Sequence, residues 1–133
     1  MNDEPIILIV DDEEESLKRF RRILEEEDYR VLTADDSTEA LGLVERERPS
    51  MVILSLTTSG MSEIKVLRRI KKMDEKIEVV IVTGDGTMKV ARAAMELGAY
   101  DYVTKPFDDD YIKALITNAL SPVPDELLQL ASR

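Results

Sequence analysis

Three stretches of the chain are apolar almost without interruption: Ile6-Ile7-Leu8-Ile9-Val10, Met51-Val52-Ile53-Leu54 and Val79-Val80-Ile81-Val82. Short runs of this kind, rich in β-branched residues, predict strands covered on both faces, as in a parallel sheet packed between helices. Tyr29 to Ala34 and Tyr100 to Thr104 are weaker strand candidates. Between these runs the apolar positions fall instead at helical spacing. They are Leu17, Phe20, Ile23 and Leu24; Ala40, Leu41 and Val44; Ile64, Leu67 and Ile70; Val90, Ala94 and Leu97; and Ile112, Leu115, Ile116 and Ala119. Strand and helix therefore alternate through the chain, and no internal repeat is visible.

The punctuation agrees with this rhythm. Ser37 is placed to cap the second helix and Thr87 the fourth, Gly98 follows the last apolar residue of the fourth helix as a C′ glycine would, and Pro49 stops the second helix before the third strand. Alternating strand–helix units of this length build an α/β domain with a five-stranded parallel sheet, (βα)5 and doubly wound, its crossovers right-handed. In such sheets the loops at the carboxyl ends of the strands carry ligands and chemistry. The informative residues are then Asp11 to Glu15, Ser55 to Gly60, Thr83 to Asp85, and Thr104 to Pro106.

Composition narrows the chemistry. With 28 acidic against 18 basic residues, a net charge of −10 repels phosphate backbones and anionic lipid, so neither direct nucleic-acid binding nor a membrane partner is expected. The absence of Cys and His removes disulfides, thiol chemistry, ordinary zinc sites and an imidazole base. The apolar run Ile6 to Val10 is too short for a membrane span or a signal segment, and acidic residues flank it, so a cytoplasmic location is expected.

At the strand ends, Asp11 and Asp12 form an oxygen-donor pair suited to a hard cation such as Mg²⁺, while an acidic first turn also simply stabilises the following helix. Spacing alone does not separate the two. Lys105-Pro106 places a cation at the same sheet edge, with Pro106 a candidate for a cis peptide bond, and Thr83 adds a hydroxyl.

In this order, an acidic pair, a strand-three residue, a hydroxyl and a Lys-Pro, the chain resembles the receiver domain of two-component response regulators. Val10-Asp11-Asp12-Glu13 is similar to the family's acidic pair, Val82-Thr83-Gly84 to its strand-four hydroxyl motif, and Gly98-Ala99-Tyr100-Asp101-Tyr102-Val103-Thr104-Lys105-Pro106-Phe107 to its strand-five signature. That stretch, with Thr83-Gly84-Asp85-Gly86-Thr87, is most similar to receivers of enhancer-binding transcriptional activators. The resemblance implies a flavodoxin-like receiver fold over residues 5–120, with residues 121–133 a C-terminal linker or short helix. It also implies that Thr83 and Tyr102 stand where the family's coupled switch residues stand, and that Asp85 occupies a variable position tuning phosphoryl lifetime.

One departure decides the expected function. Where the family carries its phosphoacceptor aspartate, this sequence has Ser55, and the loop differs along with it: the usual proline is Ser59 and the usual Asp-Gly is Ser62-Glu63. A hydroxyl is a poorer Mg²⁺ ligand than a carboxylate, so Asp11 and Asp12 are expected to hold that ion weakly at best, and no cofactor is required. Lys105, deprived of its usual anionic partner, is expected to turn to Asp11 or Asp12. A serine hydroxyl also cannot form the family's acyl phosphate without a general base.

The favoured reading is a pseudo-receiver in a phosphorelay, not an enzyme. It signals by contact with an output module, a histidine kinase or another receiver through the face of helix four, strand five and helix five, with a homodimer possible. Two alternatives stand beside it. One is phosphorylation of Ser55, or of Thr57, Thr58 or Ser59, by a serine/threonine kinase. The remote one is a hydrolase using a Ser55–Lys105 dyad, which the neighbouring carboxylates disfavour by keeping the lysine charged.

Overall fold

The computed structural model describes residues 4–56, 60–84, 88–121 and 130. Five strands and five helices alternate: β1 (Ile6–Asp11), α1 (Glu14–Glu25), β2 (Arg30–Ala34), α2 (Ser37–Glu47), β3 (Met51–Ser55), α3 (Gly60–Met73), β4 (Glu78–Thr83), α4 (Met88–Glu96), β5 (Asp101–Thr104) and α5 (Asp109–Leu120). The strands form one sheet in the order β2-β1-β3-β4-β5, every neighbouring pair parallel. Thr87 and nearly all of the expected C-terminal segment lie outside the described residues.

The unbroken apolar runs are explained by the two cores. Alternate strand residues point to opposite faces. Leu8, Val10, Val52, Leu54, Val79 and Ile81 pack with residues of α2, α3 and α4. Ile7, Ile9, Met51, Ile53, Val80 and Val82 pack on the other face with Phe20, Ile23 and Leu24 of α1 and Ile112, Leu115 and Ile116 of α5. A strand buried on both faces has no position at which a polar side chain is free of cost, so β1, β3 and β4 carry polar groups only where they end. Among the described residues no helix is long and apolar enough to cross a membrane.

One expected cap moves by a residue. Asp36, not Ser37, is the N-cap of α2, and its carboxylate accepts from the Glu39 backbone N–H at 2.8 Å. Aspartate and serine both cap well, and the extended backbone at Asp36 leaves Ser37 as the first helical residue. The same helix ends on Arg48 in the left-handed region, φ 47°, with Pro49 next. The α4 terminus follows the expectation: Gly98 has φ 94°, its N–H bonds to Met95 O, and the Ala99 N–H reaches back to Ala94 O at 3.0 Å.

Two glycines should respond oppositely to alanine. Gly98→Ala has room for a methyl beside the Lys71 side chain but forces an L-residue to positive φ, so it should cost about 1–2 kcal/mol. Gly42→Ala, inside α2 with only the movable Arg46 guanidinium near, should stabilise by about 0.5–1 kcal/mol. Urea unfolding of both variants checks the pair.

Candidate functional site at the carboxyl edge of the sheet

The register sets the site. β1 and β3 are neighbours, and Asp11, the last residue of β1, lies directly across from Ser55, the last residue of β3. Both follow the parity of Ile9 and Ile53, so both side chains start on the α1/α5 face. Thr83 ends β4 opposite Thr104, and the Lys105 N–H extends that ladder to Thr83 O at 2.8 Å. The sheet thus brings Asp11, Ser55 and Thr83 to one edge, with Lys105 one residue past β5. Tyr102 pairs with Ile81, two residues further down the β5 ladder.

Burial separates these groups. Asp11, Ser55 and Thr83 are buried, Asp12 is exposed, and Lys105 and Tyr102 are half-buried. Asp11 Oδ1 accepts from the Glu13 backbone N–H at 2.9 Å, tying the carboxylate to its own turn. Asp11 Oδ2 and Ser55 Oγ have no hydrogen-bond partner although both are buried. A buried carboxylate oxygen without a donor is unfavourable and marks a place where a cation or donor would be held. Oxygens of Asp11, Asp12 and Glu13 lie within 4.8 Å of one another, a spacing that suits one hard cation; the donor set fits Mg²⁺, weakened by a neutral hydroxyl at Ser55.

The pairing expected of Lys105 is not formed. No carboxylate of the described residues lies within 4.0 Å of its amine, because Asp11 is engaged by the Glu13 N–H and Asp12 points to the exposed rim. Nor does Lys105 bond to Ser55, whose hydroxyl has no partner, so the dyad needed for a hydrolase is absent. Ser55 is also closed to a protein kinase: it is 0% exposed in a central strand, whereas a kinase needs an accessible extended segment. Thr57, Thr58, Ser59 and Asp85 lie outside the described residues. The Lys105–Pro106 peptide bond is cis.

Two features escaped the sequence reading. Glu63 is fully buried on the α3 stripe that continues through Leu67 and Ile70; its i, i+4, i+7 spacing with them was the available signal. Arg19 of α1 clasps the β5–α5 turn. Its Nε donates to Asp109 Oδ1 at 2.8 Å, its Nη2 donates to Phe107 O at 2.8 Å, and its guanidinium lies 4.1 Å from the Phe107 ring centroid. Phe107 in turn stacks on buried Phe20, centroids 5.5 Å apart. The clasp joins residues ninety positions apart, so no local pattern reveals it. On the far side of α5, Tyr111 Oη donates to Asp101 Oδ2 at 3.3 Å, and the Asp101 charge, with burial and that bond, raises the phenol above its usual 10.0.

A doubly wound sheet in this order, with an acidic pair, a hydroxyl and a Lys-Pro turn at its carboxyl edge, is the architecture of a phospho-signalling domain. The family comparison agrees: the response regulator receiver domain matches residues 7–117, and the chain belongs to that family. Sporulation initiation phosphotransferase F of Bacillus subtilis is 36% identical over 114 residues, covering 86% of this chain and 92% of that protein. The nitrogen assimilation regulatory protein NtrX of Azorhizobium caulinodans is 35% identical over 116 residues, and there the chain spans only 26% of its relative. Among solved structures, the receiver domain of a putative LuxO repressor protein from Vibrio parahaemolyticus superposes with TM-score 0.82 at 27% identity, covering 88% of this chain and 90% of that one. The protein is a two-component signalling domain of the kind found in transcriptional regulators.

Arg19→Ala should lower stability by roughly 1 kcal/mol, through the lost stacking and fork contacts, and Arg19→Lys should recover less than half of it. Ser55→Ala should be neutral or slightly stabilising, since it removes a buried hydroxyl that has no partner. Urea midpoints decide both; a large loss for Ser55→Ala would mean the hydroxyl is bonded in solution.

Proposed function

We propose that this receiver works without aspartyl phosphorylation, as a pseudo-receiver that signals through protein contacts. The observation that carries the reading is Ser55, buried at the register position beside Asp11 where the family resemblance puts the acceptor carboxylate. An acyl phosphate needs a carboxylate there, and a hydroxyl with no base within hydrogen-bonding reach is not a nucleophile toward phosphohistidine. Thr83, Tyr102 and Lys105 are the retained counterparts of the family's switch and phosphoryl contacts. Asp11 and Asp12, with Glu13 beside them, would hold Mg²⁺ weakly.

The contact surface in this reading is the face made by α4, β5 and α5. Met88 and Met95 on α4, Tyr100 before β5 and Tyr111 on α5 are the exposed large apolar side chains there, and such a grouping marks a protein interface more than a solvated surface. Output module, histidine kinase and a second receiver are the partners this face suits, a homodimer included. The receiver spans 5–120, and the following residues connect it onward.

Intact mass after incubation with Mg²⁺ and acetyl phosphate, beside Ser55→Asp, tests the reading. The native domain should stay unmodified while the variant gains one phosphoryl group. An acid-labile, hydroxylamine-sensitive phosphoryl group on the native domain would place the acceptor on another carboxylate and overturn it.

A further inference from the structure

A cleft of about 290 Å³ opens where the β1–α1 turn, the start of α2 and α3 meet. Leu56 and Val66, both nearly buried, line it with apolar surface, and Asp12, Asp35 and Asp36 line it with carboxylates; no Lys or Arg does. The volume sits at the low end for ligand sites, enough for one long side chain. Carboxylate oxygens cluster on both sides, those of Asp11, Asp12 and Glu13 within 4.8 Å of one another, and likewise those of Asp35, Asp36 and Glu39.

A second observation is independent of the cluster. Behind Asp12 stands Asp11, fully buried, with Oδ2 lacking any donor. What fits an apolar lining, a carboxylate rim and an acceptor in want of an N–H is a cation on an aliphatic stem that carries several donors. Arginine has that form: its methylenes cover apolar surface, and its planar fork bridges two carboxylates. A bare metal ion would leave Leu56 and Val66 uncovered. The net charge of −10 steers a basic segment toward the domain.

We propose that this cleft receives an arginine side chain from a basic segment of a partner protein, its stem on Leu56 and Val66 and its guanidinium between Asp12 and Asp11. The inference rests on the pseudo-receiver reading, because a domain that holds Mg²⁺ tightly for phosphorylation would have that ion at the same carboxylates.

The test is an NMR titration of the isotope-labelled domain with a capped tri-arginine peptide, with spermidine as the control for charge alone. Leu56 and Val66 methyls and the Asp11 and Asp12 amides should shift together and saturate, Mg²⁺ should compete, and Asp35→Asn, an exposed change, should weaken binding about threefold. Shifts scattered over the acidic residues of α1, equal binding of spermidine, or indifference to Asp35→Asn would each overturn the site. If the site fails while the native domain still refuses acetyl phosphate, only the arginine inference falls; phosphorylation of the native domain removes the reading beneath it.

Discussion

A parallel strand sandwiched between two helical layers has no polar outlet along its length. Each residue of β1 and β3 before the last faces one of two dry cores, so the first tolerable place for a charge or hydroxyl is the carboxyl end. This constraint puts Asp11 and Ser55 side by side, since the register that aligns Ile9 with Ile53 also aligns them. It also buries them, because the strands end inside the layers. The site's electrostatics therefore follow from the packing: a carboxylate is held at a dry edge with one oxygen satisfied by its own turn and the other not.

In that setting the identity of the residue across from Asp11 governs the chemistry. A carboxylate there would add a ligand for a divalent ion and a nucleophile for phosphoryl transfer; a hydroxyl supplies neither at comparable strength. The nearby Lys105 amine is not drawn in to compensate, and stays apart from both acids. The pocket retains the family's residues without the group that would unite them.

Contacts between elements fix the surroundings of the pocket. The Arg19 clasp ties the turn after β5 to α1 through an ion pair, a backbone acceptor and the Phe107 ring, and the Phe107–Phe20 stack carries that tie into the core. On the opposite layer the buried Glu63 sits on the α3 stripe, where the family's loop has glycine, so the α3 start differs in charge as well as in sequence. The two sides of the site are thus held by quite different means, one by a half-exposed cation and the other by a buried acid.

Much of this was legible in the chain itself, for a physical reason. Apolar runs and helical spacing respond to burial, which is periodic and local, so strands, helices, the parallel sheet and the strand-end residues Asp11, Asp12, Ser55, Thr83 and Lys105 could be read directly. The Gly98 terminus was equally readable, since positive φ selects glycine. Capping was less sharp: Asp36 and Ser37 are both good caps, and only the backbone angles choose between them. What tertiary structure alone decided were the partners: that Arg19 takes Asp109 and Phe107, that Asp11 bonds to its own turn and not to Lys105, and that Ser55 is sealed from solvent. Those outcomes depend on distances between residues far apart in the chain, and a linear sequence carries periodicity but not distance.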